Sequence, residues 1–384
     1  MPKKLPTLAN GVWPSPQQEL LLRAALSFGD DSLQAWRDWR REAEPEFLDA
    51  GSSRLFPLIF RRLREPSVND QWQPLLKQAY RQTLGRNRLL FHHAAHICDE
   101  LARLGLRALL LKGVPLSQIY YVDTGTRPMS DIDVLVAPAE APRAFAWLQE
   151  NGWQPQRPGG VGLIPFTNGL SWKHSNGLEF DLHWNLMFGC WRAFADAPFW
   201  AASQPFALSG REYQTLCPTD MLLHVCFHGA RWNVTPPLRW IADAMMILSR
   251  AGEEIDWLRL LELARERRLS LMLRETLGYL HRTFAAPVPP FVLATLGVTP
   301  VSRGERLAYQ DKMRPQADLT IGGWLRYWRY AYAHITERTG ERPRPLVFAQ
   351  ALKELWGVPH LWQLPLRALS FTLWRTGNAA IRQD

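Results

Sequence analysis

Three aspartates stand in short alternating runs. Asp131 and Asp133 lie in Ser130-Asp131-Ile132-Asp133-Val134-Leu135-Val136, and Asp181 lies in Leu178-Glu179-Phe180-Asp181-Leu182-His183-Trp184. As a β-strand the first run turns Asp131 and Asp133 to one face and Ile132 and Val134 to the other. The second run likewise turns Glu179, Asp181 and His183 away from its apolar residues. Two carboxylates on one face repel each other, and a bound cation removes the conflict; hard oxygen donors select Mg²⁺ or Mn²⁺. Asp181, on a neighbouring strand, would be the third oxygen ligand. A bare pair of acids also fits the solvent face of an edge strand, so the flanking residues matter.

Upstream, the apolar run Arg107-Ala108-Leu109-Leu110-Leu111-Lys112 ends at Gly113, and Pro115 stands where a helix could begin. Such a turn offers backbone N–H groups and a cation to a phosphate whose other oxygens meet the metal. Lys112 and Arg127 are the candidate phosphate cations, and Ser130 could add a hydrogen bond. The competing readings are a strand-end lysine lying along apolar surface and a solvated loop arginine. His183 either orients Asp181, contacts a second substrate, or is a strand histidine with a structural partner. His92 with His96, and His224 with His228, have the i,i+4 spacing of a metal pair but no evident third ligand, which favours structural or surface roles. Asp243 could cap a helix, pair with Arg239 or Arg250, or reach a cleft.

The elements that must hold these groups follow from periodicity. Apolar residues at three- and four-residue spacing predict helices over Glu19–Leu26, Ser32–Arg41, Arg54–Arg64 and Gln71–Leu104. A strand, a glycine turn, a helix and the strand Ile132–Val136 come next. Pro142–Asn151 then reads as a helix, and Gly169–Trp184 as a hairpin turning at Ser175-Asn176-Gly177. Beyond Pro218-Thr219-Asp220, helices are predicted over Met221–Arg231, Leu238–Arg250, Asp256–Arg267 and Ser270–Phe284. The expected organisation is α+β: a helical region over 1–104, a small mixed-sheet core over 105–215, a helical domain over 216–290 completing the cleft, and a basic, Trp-containing helical region over 291–384.

The 384 residues are 47% hydrophobic and 21% charged, which excludes a disordered chain. A net charge of +9 favours anionic partners. Cys98, Cys190, Cys217 and Cys226 form no CxxC pair and read as reduced thiols. No apolar stretch follows Met1-Pro2-Lys3-Lys4-Leu5-Pro6, so the expected location is the cytoplasm. Pro359, His360, Gln363, Pro365 and Arg367 interrupt Leu355–Trp374 too often for a membrane span. Leu366–Trp374 is amphipathic, which leaves a peripheral membrane or protein partner open for 340–384. The 18 tryptophans mostly recur with Leu and Phe at helical spacing and read as packing residues.

The run LLLKGVPLSQIYYVDTGTRPMSDIDVLV followed by LEFDLHW resembles the bacterial nucleotidyltransferase family-5 proteins of the DNA polymerase beta-like superfamily. The helix of Glu19-Leu20-Leu21, Arg54-Leu55-Phe56-Pro57-Leu58, His224 to His228 and Leu238-Arg239-Trp240-Ile241-Ala242-Asp243 extend the resemblance over roughly residues 17–285. It implies a polymerase beta-like core in which Asp131 and Asp133 hold two Mg²⁺ (or Mn²⁺) ions with an NTP, expected to be ATP. Asp181 would bind the catalytic metal or accept a proton, and Lys112, Gly113, Arg127 and Ser130 would face the phosphates. His183, His228 and Asp243 would lie toward an unidentified acceptor. The implied reaction moves a nucleoside monophosphate to a hydroxyl or phosphate with release of pyrophosphate. A non-catalytic nucleotide sensor and a toxin acting on protein or RNA are the alternatives; a nucleic-acid acceptor is not expected. Val114 follows Gly113 where the superfamily carries a second Gly or a Ser.

Overall fold

The computed structural model describes residues 11–63, 72–121, 123–157, 159–187, 195–314, 332 and 345–368. The fold is α+β, with helices flanking a mixed sheet of seven strands: β1 (Ala108–Leu111), β2 (Ile132–Val136), β3 (Trp153–Pro155), β4 (Gly169–His174), β5 (Glu179–His183), β6 (Gln204–Leu208) and β7 (Arg211–Thr215). Their order across the sheet is β3-β4-β5-β2-β1-β7-β6. The chain divides into two compact units. The first comprises the described residues of Met1–Asp99, Leu109–Ile132 and Ala202–Gln316, and the second those of Glu100–Ala108, Asp133–Ala201 and Ala317–Asp384.

In the first unit the helix Pro16–Leu26 starts on a capping box, with Ser15 accepting from the Gln18 N–H and the Gln18 side chain returning to the Ser15 N–H. It packs on the helices Gly29–Glu42 and Phe56–Arg62. Nearby, Trp36, Trp39, Phe56 and Trp72 form an aromatic cluster with ring centroids 4.9–6.2 Å apart, which accounts for tryptophans placed at helical spacing. The 31-residue helix Gln73–Arg103 holds the loop that precedes β2. From it Asn87 donates to the carbonyls of Thr124 at 2.5 Å and Arg127 at 2.8 Å, and Tyr80 donates to Asp123 at 2.9 Å. Asp123 also pairs with Arg61 at 2.6 Å. The helices Pro218–Gly229, Arg239–Ala251, Trp257–Glu266 and Ser270–Phe284 complete this unit's core.

In the second unit β3, β4 and β5 form an antiparallel meander, with Ser171 opposite Asp181 and Gly169 opposite His183. The helix Ala141–Glu150 contributes Phe145, whose ring meets Trp172 edge-on at 5.1 Å. The Trp184 indole N–H donates to the Thr167 carbonyl at 2.6 Å, so its one polar atom is satisfied inside the core.

Several expectations are redrawn. All five residues of β2 are buried, so this strand has no solvent face. The segment after Gly113 is a single turn, Gly113–Pro115, followed by a π-helical turn, Leu116–Tyr120. Strands β3, β6 and β7 lie where the sequence pattern predicts none. β6 and β7 form a hairpin around Ser209-Gly210, both at positive φ, and β7 pairs in parallel with β1 through Leu110 and Thr215. Cys98, Cys217 and Cys226 are free thiols. Cys190 and residues 369–374 of the amphipathic stretch lie outside the described residues. No described helix is long and apolar enough to cross a membrane.

Candidate functional site

The second unit gathers Asp133, Asp181 and His183. One ligand atom from each lies within 4.8 Å of the others. Asp133 is 3% exposed on β2 and His183 is 8% exposed on β5, and His183 Nε2 sits 3.1 Å from Asp133 Oδ1. Alternation along β5 buries Phe180 and Leu182 on one face and turns Asp181 and His183 to the other. His183 Nδ1 is buried with no hydrogen-bond partner among the described residues. Its ring lies over Gly169: a Cβ there would stand 2.9 Å from Nδ1 and 2.8 Å from the Leu182 carbonyl oxygen. The ring position thus depends on an absent side chain in β4. Arg157 donates to the Gly169 carbonyl at 2.8 Å. Its pKa is lowered by the surrounding protein, and the Asp181 charge opposes that shift.

The first unit gathers the groups expected to face phosphate. Lys112 has φ 46° and ψ −107°, a combination that side-chain-bearing residues rarely adopt, and Gly113 follows it. A Cβ on Gly113 would lie 3.0 Å from Met129 Sδ and 3.6 Å from Arg127 Nη1. Arg127 is 3% exposed and Asp243 4% exposed. They form a side-on fork, Nε to Oδ1 at 2.7 Å and Nη2 to Oδ2 at 2.8 Å, and the Tyr121 hydroxyl donates to Oδ1 at 2.8 Å. Burial lowers the Arg127 pKa, and the Asp243 charge and hydrogen bonds outweigh it, so the guanidinium stays charged. Burial, then the Asp243 charge, pushes the Tyr121 phenol well above its usual pKa. Arg239 donates to the Pro128 carbonyl at 3.2 Å and is pulled down by burial and by the Arg127 charge. Ser130 donates to Asp131 at 3.1 Å, and Arg86 donates to the Ser130 carbonyl at 3.1 Å.

A family described as uncharacterised nucleotidyltransferases matches residues 50–285. The chain belongs to that nucleotidyltransferase family. Among solved structures, an antigenic nucleotidyltransferase-like protein from Paracoccidioides brasiliensis is similar at 13% identity and a TM-score of 0.35, over 58% of this chain and 96% of that one. No curated protein matches.

Against the residues expected to serve a nucleotidyltransferase, the structure groups Asp133 and Asp181 with His183 and leaves Asp131, which precedes β2, outside that cluster of potential ligands. Arg127, expected to face phosphate, and Asp243, expected toward the acceptor, are bound to each other. His224 is buried on Pro218–Gly229 with His228 exposed one turn on, their rings 5.9 Å apart. His92 and His96 are exposed on Gln73–Arg103. Sequence reasoning missed Tyr121, Asn87, Arg157 and Gly169. The first two act through contacts to residues 37 or more positions away. The last carries a signal only once β4 is registered against β5.

Proposed function

We propose that this protein transfers a nucleoside monophosphate from an NTP, with ATP as the expected donor, to a hydroxyl or phosphate of an acceptor and releases pyrophosphate. The observation that carries the reading is the convergence of Asp133, Asp181 and His183 from two strands onto one small volume, in a chain of a nucleotidyltransferase family. The donor set fits a divalent ion. Asp133 Oδ1 and His183 Nε2 are 3.1 Å apart, close to the spacing of neighbouring ligands about an ion with bonds of ~2.1 Å. A carboxylate buried as deeply as Asp133 also needs a cation or a donor beside it. When bound, such an ion neutralises phosphate charge and favours the ionised form of an attacking hydroxyl.

The residues themselves have separable roles in this reading. Asp133 and Asp181 hold the ion, with His183 either ligating it or orienting Asp133, and Asp131 supplies a further carboxylate at the mouth of β2. Asp181, the less buried of the two clustered acids, takes the proton of the acceptor in this reading. Lys112, Arg127, Ser130 and the Gly113 turn receive the phosphates. Arg157, beside Asp181, adds a cation on the acceptor side. Most of the rate would come from positioning and charge, because phosphoryl chemistry asks little covalent work of a protein.

The test is incubation of the full chain with α-³²P-labelled ATP, Mg²⁺ or Mn²⁺, and a cell extract. A labelled acceptor is expected, and Asp133→Asn should reduce labelling by about a hundredfold or more, the scale of losing one preorganised charge. Nucleotide binding without transfer over every extract tested would replace the transferase reading with a nucleotide sensor.

A further inference from the structure

The Arg127–Asp243 pair can be weighed against an ordinary buried salt bridge. A stability element would engage the guanidinium through whichever nitrogens packing allows, and apolar residues of similar volume would often serve as well. Here Asp243 takes Nε and Nη2, and Tyr121 fixes the carboxylate in turn. The third nitrogen, Nη1, is the one that comes within 3.6 Å of the space where a Gly113 Cβ would be. That space borders a turn whose first residue, Lys112, holds a costly backbone conformation. The charges are also unequal: the guanidiniums of Arg127 and Arg239 both act on Asp243 within this unit.

We infer that Asp243 and Tyr121 are positioning residues, which lock Arg127 so that Nη1 presents one oriented N–H to a phosphate oxygen of a polyphosphate seated on the Gly113 turn. This rests on the donor-nucleotide reading above. It gives Asp243 a task opposite to that of an acceptor-side acid, since it acts on the phosphate side and never touches substrate. The fork sets direction: a bidentate carboxylate leaves the guanidinium plane a single orientation, as a lone hydrogen bond would not.

The experiment measures binding of inorganic tripolyphosphate to the full chain by calorimetry, in the presence of a chelator so that the ion site is outside the readout. Orientation and bulk charge make opposite forecasts for Asp243→Asn. Removing a negative charge near an anion site tightens binding if only charge matters, whereas loss of the fork weakens it by about tenfold if Arg127 must be held, the worth of one oriented charge-assisted hydrogen bond. Tyr121→Phe keeps every charge, and a weakening of about threefold is expected from it. Arg127→Lys keeps the charge but cannot fork, and it should lose as much as Arg127→Gln. Unchanged or tighter binding in Asp243→Asn, or in Tyr121→Phe should the former not fold, overturns the positioning role while leaving the donor reading intact. Absence of tripolyphosphate and ATP binding in the unsubstituted protein overturns both.

Discussion

At the scale of single residues, the cluster of Asp133, Asp181 and His183 depends on atoms that are missing as much as on those present. His183 lies where it does because Gly169 has no side chain, and the groups that a Cβ would meet are backbone and ring atoms that cannot swing away. Gly169→Ala is therefore expected to destabilise the protein by about 1–3 kcal/mol, the usual cost of overpacking. It should also displace His183 from Asp133. The checks are urea unfolding and Mn²⁺ affinity measured by electron paramagnetic resonance. An alanine variant that binds Mn²⁺ as tightly as the parent would remove His183 from the ion site. Gly113 differs, since its nearest neighbour is the flexible end of Met129, which can yield.

At the scale of elements, the loop before β2 is held by side chains of the helix Gln73–Arg103. Asn87 is fully buried and serves two loop carbonyls, Thr124 and Arg127, with one amide group. Asn87→Leu would leave both carbonyls without that donor, at an expected cost of about 2 kcal/mol in unfolding free energy. Amide exchange over Asp123–Ser130 should quicken, and exchange unchanged there would show that Asp123 with Arg61 and Tyr80 suffices. Such dependence explains what was legible in the sequence. Strand β2 is legible residue for residue, and the β4–β5 hairpin closely, because each carries period-two alternation or an Asn-Gly turn within a few residues. The Ser209-Gly210 turn was weaker, and β6 is only partly alternating, so the far edge of the sheet went unread. The Arg127–Asp243 fork joins positions 116 apart, and no local pattern distinguishes it from a solvated loop arginine and a helix acid.

At the scale of the whole molecule, buried ionisable groups make alkali the weak side of the stability profile. Burial pushes the Cys98 and Cys226 thiols up to about 12 from an ordinary 9.0. Tyr121 is driven well above its ordinary 10.0, and burial raises the Tyr279 phenol too. All four lie in the unit that carries the glycine turn. Each has a folded pKa above its unfolded one, so the stabilisation is fully present below the unfolded value. It is lost as pH rises toward the folded value, because only the unfolded chain releases the proton in between. The urea midpoint should hold steady up to about pH 9 and then fall, each thiol contributing about 1.4 kcal/mol per pH unit, with the phenols adding to the slope above about pH 10. A Cys98→Ala, Cys226→Ala double variant should start lower in stability, from two small cavities, yet decline less steeply between pH 9 and 10, since of the described thiols only Cys217, which burial also pushes up, then remains beside the phenols. Midpoints that fall in parallel for both proteins between pH 9 and 10 would show that the thiols are not the groups that make this unit fail in alkali.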